Sequence, residues 1–191
     1  MKYTKVEEQA YEKLQFNAGI VVKSFEPSNG TATGILGATK GGLSFTAVQE
    51  FIDRGANIDN VPNNTKQLKQ GKQWNVNLAG TFVTVDPEKV KLLLGAGDVS
   101  ENKIVPRHDL KDTDFQDIWL VGDYSDKTGE TNGGYCAVHL MNTLSTSGLS
   151  WKTTDEDNGE FSFNFMAHYD IGNIDKPPFE VYVKAGTPEA A

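Results

Sequence analysis

The stretch QWNVNLAGTFVTV, Gln73 to Val85, places Trp74, Val76, Leu78 and Phe82 on even positions and Gln73, Asn75, Asn77 and Thr81 on odd ones. Successive side chains of a strand point to opposite faces, so this is a half-buried β-strand, roughly 43 Å long if extended throughout. Phe161 to Tyr169 repeats the pattern, with Phe161, Phe163, Phe165, Ala167 and Tyr169 on one face and Ser162, Asn164, Met166 and His168 on the other. Leu43, Phe45, Ala47 and Phe51 alternate with Ser44, Thr46 and Glu50 in the same way. One apolar and one polar face per strand is the signature of antiparallel sheets with a solvated side.

Further strands are expected at 16–25, 115–123, 135–141, 149–154 and 179–184, about eight in all. Ile118-Trp119-Leu120-Val121 and Cys136-Ala137-Val138 are apolar on both parities, which places those strands centrally. Asp155-Glu156-Asp157-Asn158-Gly159 between two strands is a hairpin turn signal. One helix is clear: Asp86 caps it, Pro87 occupies its first turn, and Val90, Leu93 and Leu94 form a stripe ending at Gly95. A weaker helix is expected over 4–14. Pro27–Gly42 and Asp53–Lys72 read as long polar loops, of the kind that serve a function or a partner. The fold expected is mainly β (α+β): an antiparallel β-sandwich of about eight strands with one flanking helix. Its organisation is an N-terminal arm (1–15), one domain (16–184) and a frayed tail (185–191).

With 191 residues, one domain with extensions is the default, large enough to bury its own core. A net charge of −8 argues against a surface built to grip nucleic acid or an anionic membrane. Cys136 is the single cysteine, so no intrachain disulfide and no Cys-cluster zinc site is possible. The opening MKYTKVEEQAYEKL has no signal-peptide core, and no apolar run approaches a membrane span.

Chemistry-bearing residues are sparse. His108, His139 and His168 have no local metal-ligand spacing and read as structural. The 155–160 acids lack the spacing of a calcium loop. Gly34 to Gly42 has glycines suited to a phosphate cradle but no helix after it. Cys136 reads as core, and the acids Asp109, Asp112, Asp114, Asp117, Asp123 and Asp126 as solvated charge. No catalytic, cofactor-binding or metal residue is assigned, and the chain is expected not to be an enzyme.

Several short motifs, in order, resemble one family. They are Ala18-Gly19-Ile20-Val21, Ser24-Phe25-Glu26-Pro27, Gly37-Ala38-Thr39-Lys40-Gly41-Gly42, and the run from Asp53 through Gly55-Ala56-Asn57 to Pro62. Gly80-Thr81-Phe82, Ile118 to Tyr124, Leu144 to Gly148, and Pro178-Phe179-Glu180-Val181-Tyr182-Val183 follow. Together, over about residues 16–184, they resemble the major tail proteins of long-tailed phages of Gram-positive bacteria. The resemblance implies a virion protein, made in the host cytoplasm, whose hexameric rings stack into a tail tube for genome delivery. It implies partners among the tail proteins (tape measure, tail terminator and distal tail) and DNA that passes without specific binding. Four strands per subunit in a ring of six would close at roughly 48 Å, leaving a bore of nearly 40 Å. Six copies at −8 would carry −48 per ring, a lining that does not hold phosphate. Asn75, Asn77, Ser162 and Asn164 are the expected lumen-facing residues. Asn60, Pro62, Lys66, Lys69 and Lys72, in a stretch with no acid, are the expected self-assembly residues, on a loop that orders when copies meet. Two other readings stay open: a β-sandwich carbohydrate-binding or adhesin module, and the tube of a phage-derived bacteriocin particle.

Overall fold

The computed structural model describes residues 14–124 and 134–186, and among these it contains eleven strands and one α-helix. The strands are β1 (Gln15–Glu26), β2 (Thr31–Ile35), β3 (Ser44–Asp53), β4 (Lys69–Phe82), β5 (Gly97–Ser100), β6 (Lys103–Pro106), β7 (Gln116–Tyr124), β8 (Gly134–Ser145), β9 (Ser150–Lys152), β10 (Glu160–Met166) and β11 (Phe179–Lys184). Helix α1 spans Pro87–Leu94, with the Asp86 carboxylate accepting from the Lys89 N–H and Gly95 closing it at φ 80°. The fold is mainly β, antiparallel and sandwich-like, with one flanking helix.

All eight expected strands form, and three short ones join them. Thr31–Ile35 pairs with β1 inside the stretch expected to be loop, and its Gly and Thr content hid it. β5 and β6 make a tight hairpin around Glu101, whose φ is 53°. β9 is shorter than expected, and β4 begins at Lys69 and ends at Phe82, leaving Val85 exposed. Residues 4–13 of the expected helix, Asp126 and residues 187–191 of the expected tail lie outside the described residues.

Two antiparallel sheets share one strand. The first runs β2-β1-β7-β8-β11, and the second runs β3-β4-β10, with β9 on the far side of β10. Residues 134–143 of β8 belong to the first sheet, while Leu144 and Ser145 pair with Met166 and Phe165 of the second. Residues 144–152 therefore flank β10 along its length, and the second sheet is four strands wide.

Between the sheets lies a core of Val21, Val76, Leu78, Phe82, Ile118, Leu140, Phe161, Phe163 and Phe165, with Leu92 and Leu93 of α1 beside it. The double-parity runs behave as expected. Val21, Ile118 and Val138 face this core, while Val22, Trp119 and Ala137 turn to the opposite face of the first sheet. There they meet Phe25, Tyr135 and Tyr182, rings that lie over the sheet and cover it.

Phe51 departs from the pattern. It is 52% exposed because β3 and β4 continue past the last β10 partner as a two-stranded arm, with a register shift between Glu50 and Phe51. Out there no facing sheet covers it, and the Lys69 ammonium sits 5.1 Å above its ring instead.

Candidate functional site

The outer face of the second sheet gathers all four residues expected to face a lumen. Asn77 pairs with Thr46 and Met166, Asn75 with Val48, and Ala79 with Ser44 and Asn164. Ser162 pairs with Thr81 and Ser150. Period two puts these side chains together on the side opposite the phenylalanine core. The result is a broad face of Ser, Thr, Asn and Ala, with Val48, Leu144 and Met166 its larger apolar members and no charge in its centre. Asn75 and Asn77 are half-buried, Ser162 is exposed, and the Asn164 side-chain oxygen is buried without a protein hydrogen-bond partner.

Charges stand at the margins, and several of them are paired within the subunit. At one end Glu50 takes hydrogen bonds from Asn75 Nδ2 at 2.7 Å and from Lys72 Nζ at 3.1 Å. The Asn75 bond and then the Lys72 ammonium hold its carboxyl below the usual value. At the other end Lys40 Nζ reaches Asp157 at 2.9 Å and Glu160 at 3.0 Å. Those bonds, Asp157 first, raise the lysine, while Lys40 in turn lowers Asp157. Pairs this exposed are worth ~0–1 kcal/mol each, so their effect is on the potential of the face more than on stability.

The expected assembly residues divide. Lys69 and Lys72 belong to β4, Lys66 opens a 3-10 turn (Lys66–Leu68), and only Asn60 and Pro62 lie in the loop proper, 54–65. Two of the three lysines are engaged within the subunit. Lys72 is spent on Glu50, and Lys69 lies 3.4 Å from Asn64 Oδ1 and over Phe51. The loop is tied down by Asp53, which accepts from Gly55 N at 2.9 Å and Asn64 N at 2.7 Å. Arg54 N donates to the Leu68 carbonyl at 3.0 Å. The two backbone donors, Asn64 first, lower the Asp53 carboxyl.

The arm and the acidic 155–160 tip lie at opposite ends of the second sheet. The arm extends from the β4 end where Met166 pairs Asn77, and the tip leads into β10 where Phe161 pairs Phe82.

Elsewhere the acids are not all solvated. Asp114 is fully buried, bound by Arg107 Nη2 at 2.8 and 2.9 Å and by Lys111 N at 2.9 Å. Burial pushes its carboxyl up, but the Lys111 N–H and the Arg107 guanidinium outweigh that and hold it below the usual value. The sequence missed this pair because Arg107 and Asp114 sit in a charge-rich run with no apolar frame to mark burial. His139 stacks on Trp119 at 4.1 Å and meets Asp117 at 3.0 Å, so it braces the first sheet. Burial raises the Cys136 thiol. Among the described residues, no group of three His, Cys, Asp or Glu side chains is placed to hold a metal ion, and no helix is long and apolar enough to cross a membrane.

No protein-family model matches the chain, and no curated protein matches it.

Proposed function

We propose that the chain is a self-assembling subunit of a phage-type tail tube. Six copies stand side by side with the outer face of the second sheet turned inward, and rings of this kind stack into a conduit for DNA. The observation that carries the reading is the four-strand width of that sheet together with its uncharged, hydrogen-bonding surface. A bore lined with Lys and Arg would release counterions onto the polymer and retain it; Asn, Ser and Thr offer hydration without a hold. Margin charges paired within the subunit serve the same end. The sheet edges also suit the role: among the described residues β3 offers ten residues with no partner on its outer side, and such an edge is a template for another chain. Side-by-side contact of unlike edges is heterologous and closes into a ring.

A second reading has one observation in its favour. Trp151, 67% exposed on β9, offers a ring that a sugar could stack on.

The test is electron microscopy and sedimentation of the purified protein across concentration, alone and seeded with pre-formed tail assemblies. Rings or tubes with a bore wide enough for a duplex are expected. Protein that stays monomeric in every condition, seeded ones included, overturns the proposal.

A further inference from the structure

The sequence holds three Asn-Gly pairs. At such a step the asparagine amide is most open to attack by the next backbone nitrogen, because glycine puts no Cβ in the way. Asn29-Gly30 and Asn158-Gly159 lie among the described residues, and Asn132-Gly133 lies outside them. Asn29 and Asn158 are both exposed, so access of water does not tell them apart. Their hydrogen bonds do.

Asn29-Gly30 is locked in the turn that joins β1 to β2. The Gly30 N–H donates to the Glu26 carbonyl at 2.8 Å, and Asn29 Oδ1 accepts from Thr31 N at 3.0 Å. Attacking nitrogen and attacked amide are thus both held, in a turn closed by the pairing of Glu26 with Thr31. Asn158-Gly159 stands between structures instead. The preceding turn closes through Asp157 N and the Thr154 carbonyl at 3.4 Å, and the ladder begins only at Glu160, opposite Lys152. Between them, Gly159 N and the Asn158 side chain have no hydrogen-bond partner among the described residues. Asn158 donates only its own N–H, to Asp157 Oδ1 at 2.7 Å, which leaves the side chain free to turn toward Gly159.

We infer that Asn158 is a self-modifying site, at which the chain converts its own amide to an acid with water as the only co-reactant. The Gly159 nitrogen gives its proton to solvent base and bonds to Asn158 Cγ. The Cγ–Nδ2 bond then breaks, and ammonia leaves with a proton taken back from solvent. Water opens the resulting cyclic imide at either carbonyl, leaving aspartate or isoaspartate at position 158. Nothing is oxidised or reduced. The position gives the change a consequence. Asp157 and Glu160, on either side, are the carboxylates that bind Lys40 Nζ at 2.9 and 3.0 Å and tie this tip to the segment before β3. Conversion sets a further negative charge between them, and the isoaspartate form adds a backbone methylene there, so Lys40 faces a more acidic and longer tip. The inference goes beyond the tube reading and does not depend on it.

The test uses the full chain, incubated folded at neutral and at mildly alkaline pH, with a parallel sample in denaturant. Peptide mapping by mass spectrometry reads the amide-to-acid mass gain at each asparagine, and isoaspartate marks passage through the imide. In the folded chain Asn158 should convert roughly tenfold or more faster than Asn29, since two hydrogen bonds must be released at Asn29 and none at the reacting atoms of Asn158 and Gly159. Conversion should quicken at the higher pH, where more of the attacking nitrogen has lost its proton. In denaturant those bonds are gone, and the two asparagines should convert alike. Gly159→Ala should slow the step at Asn158 while the protein melts as the parent does, because the added Cβ meets nothing closer than Trp151 Nε1 at 3.4 Å. A folded-state ratio well below tenfold, the same ratio in denaturant, or conversion of Asn158 without isoaspartate overturns the inference. None of these results bears on ring formation, so the tube reading stands or falls separately.

Discussion

The two sheets share a core but treat their other faces in opposite ways. The first sheet packs apolar residues on both sides, and its outer side carries Phe25, Trp119, Tyr135 and Tyr182 clustered with Val22 and Ala137. The second sheet turns its phenylalanines to the core and shows mainly Ser, Thr and Asn outside, with Val48 and Met166 among them. Covering one outer face with aromatic rings stabilises the monomer. Leaving the other polar and without a central charge adds little to stability, and that composition is what the proposed lumen-facing role asks for.

That contrast can be broken at several points. Phe165 is fully buried between the sheets, so Phe165→Ala should cost about 3–5 kcal/mol in chemical denaturation, the largest effect here. Trp119→Ala, on the covered outer face, should cost about 3 kcal/mol and uncouple the His139 stack. A loss below about 1 kcal/mol would mean that the aromatic cover is not structural.

Asp114→Asn removes a buried charge from Arg107 and should cost about 3 kcal/mol at neutral pH. The pH dependence has a definite sign. The folded carboxyl titrates below its ordinary value of 3.8, so its stabilisation is complete above that value and is lost as pH falls through the folded pKa. The parent should therefore lose this increment under acid while Asp114→Asn does not. Parallel pH profiles for the two proteins would remove the carboxylate from the account.

The smallest effect on stability is expected where the largest effect on transport is expected. Ser162→Lys and Thr46→Lys should leave the fold standing, with the melting midpoint for the exposed Ser162 within the equivalent of about 0.5 kcal/mol. In assembled tubes they should slow DNA passage, more at low salt than at high. Equal passage rates at low salt would detach the polar face from the conduit.

Much of this was legible in the sequence because period two reports one face at a time. Trp74 to Phe82 and Phe161 to Phe165 declared the core strands, and their intervening Asn and Ser residues declared the polar face. Asp86, Pro87 and Gly95 declared the helix. The rest depended on what lies across from a residue. Thr31–Ile35 is a strand only because β1 lends it an edge. Phe51 kept the alternation but ran beyond the facing sheet, and Asp114 is buried by a partner seven residues away.

One strand, β8, enters both sheets, joined to β7 and β11 along its first part and to β10 at Leu144 and Ser145. It acts as a spar: the layers cannot slide past one another without breaking its covalent backbone or stripping hydrogen bonds along it. Strain applied at either open edge of the second sheet is thus carried into the aromatic-clad sheet and spread over the whole domain. A tube made of such units would be stiff in its walls, because load on any lateral joint is borne by two layers instead of one.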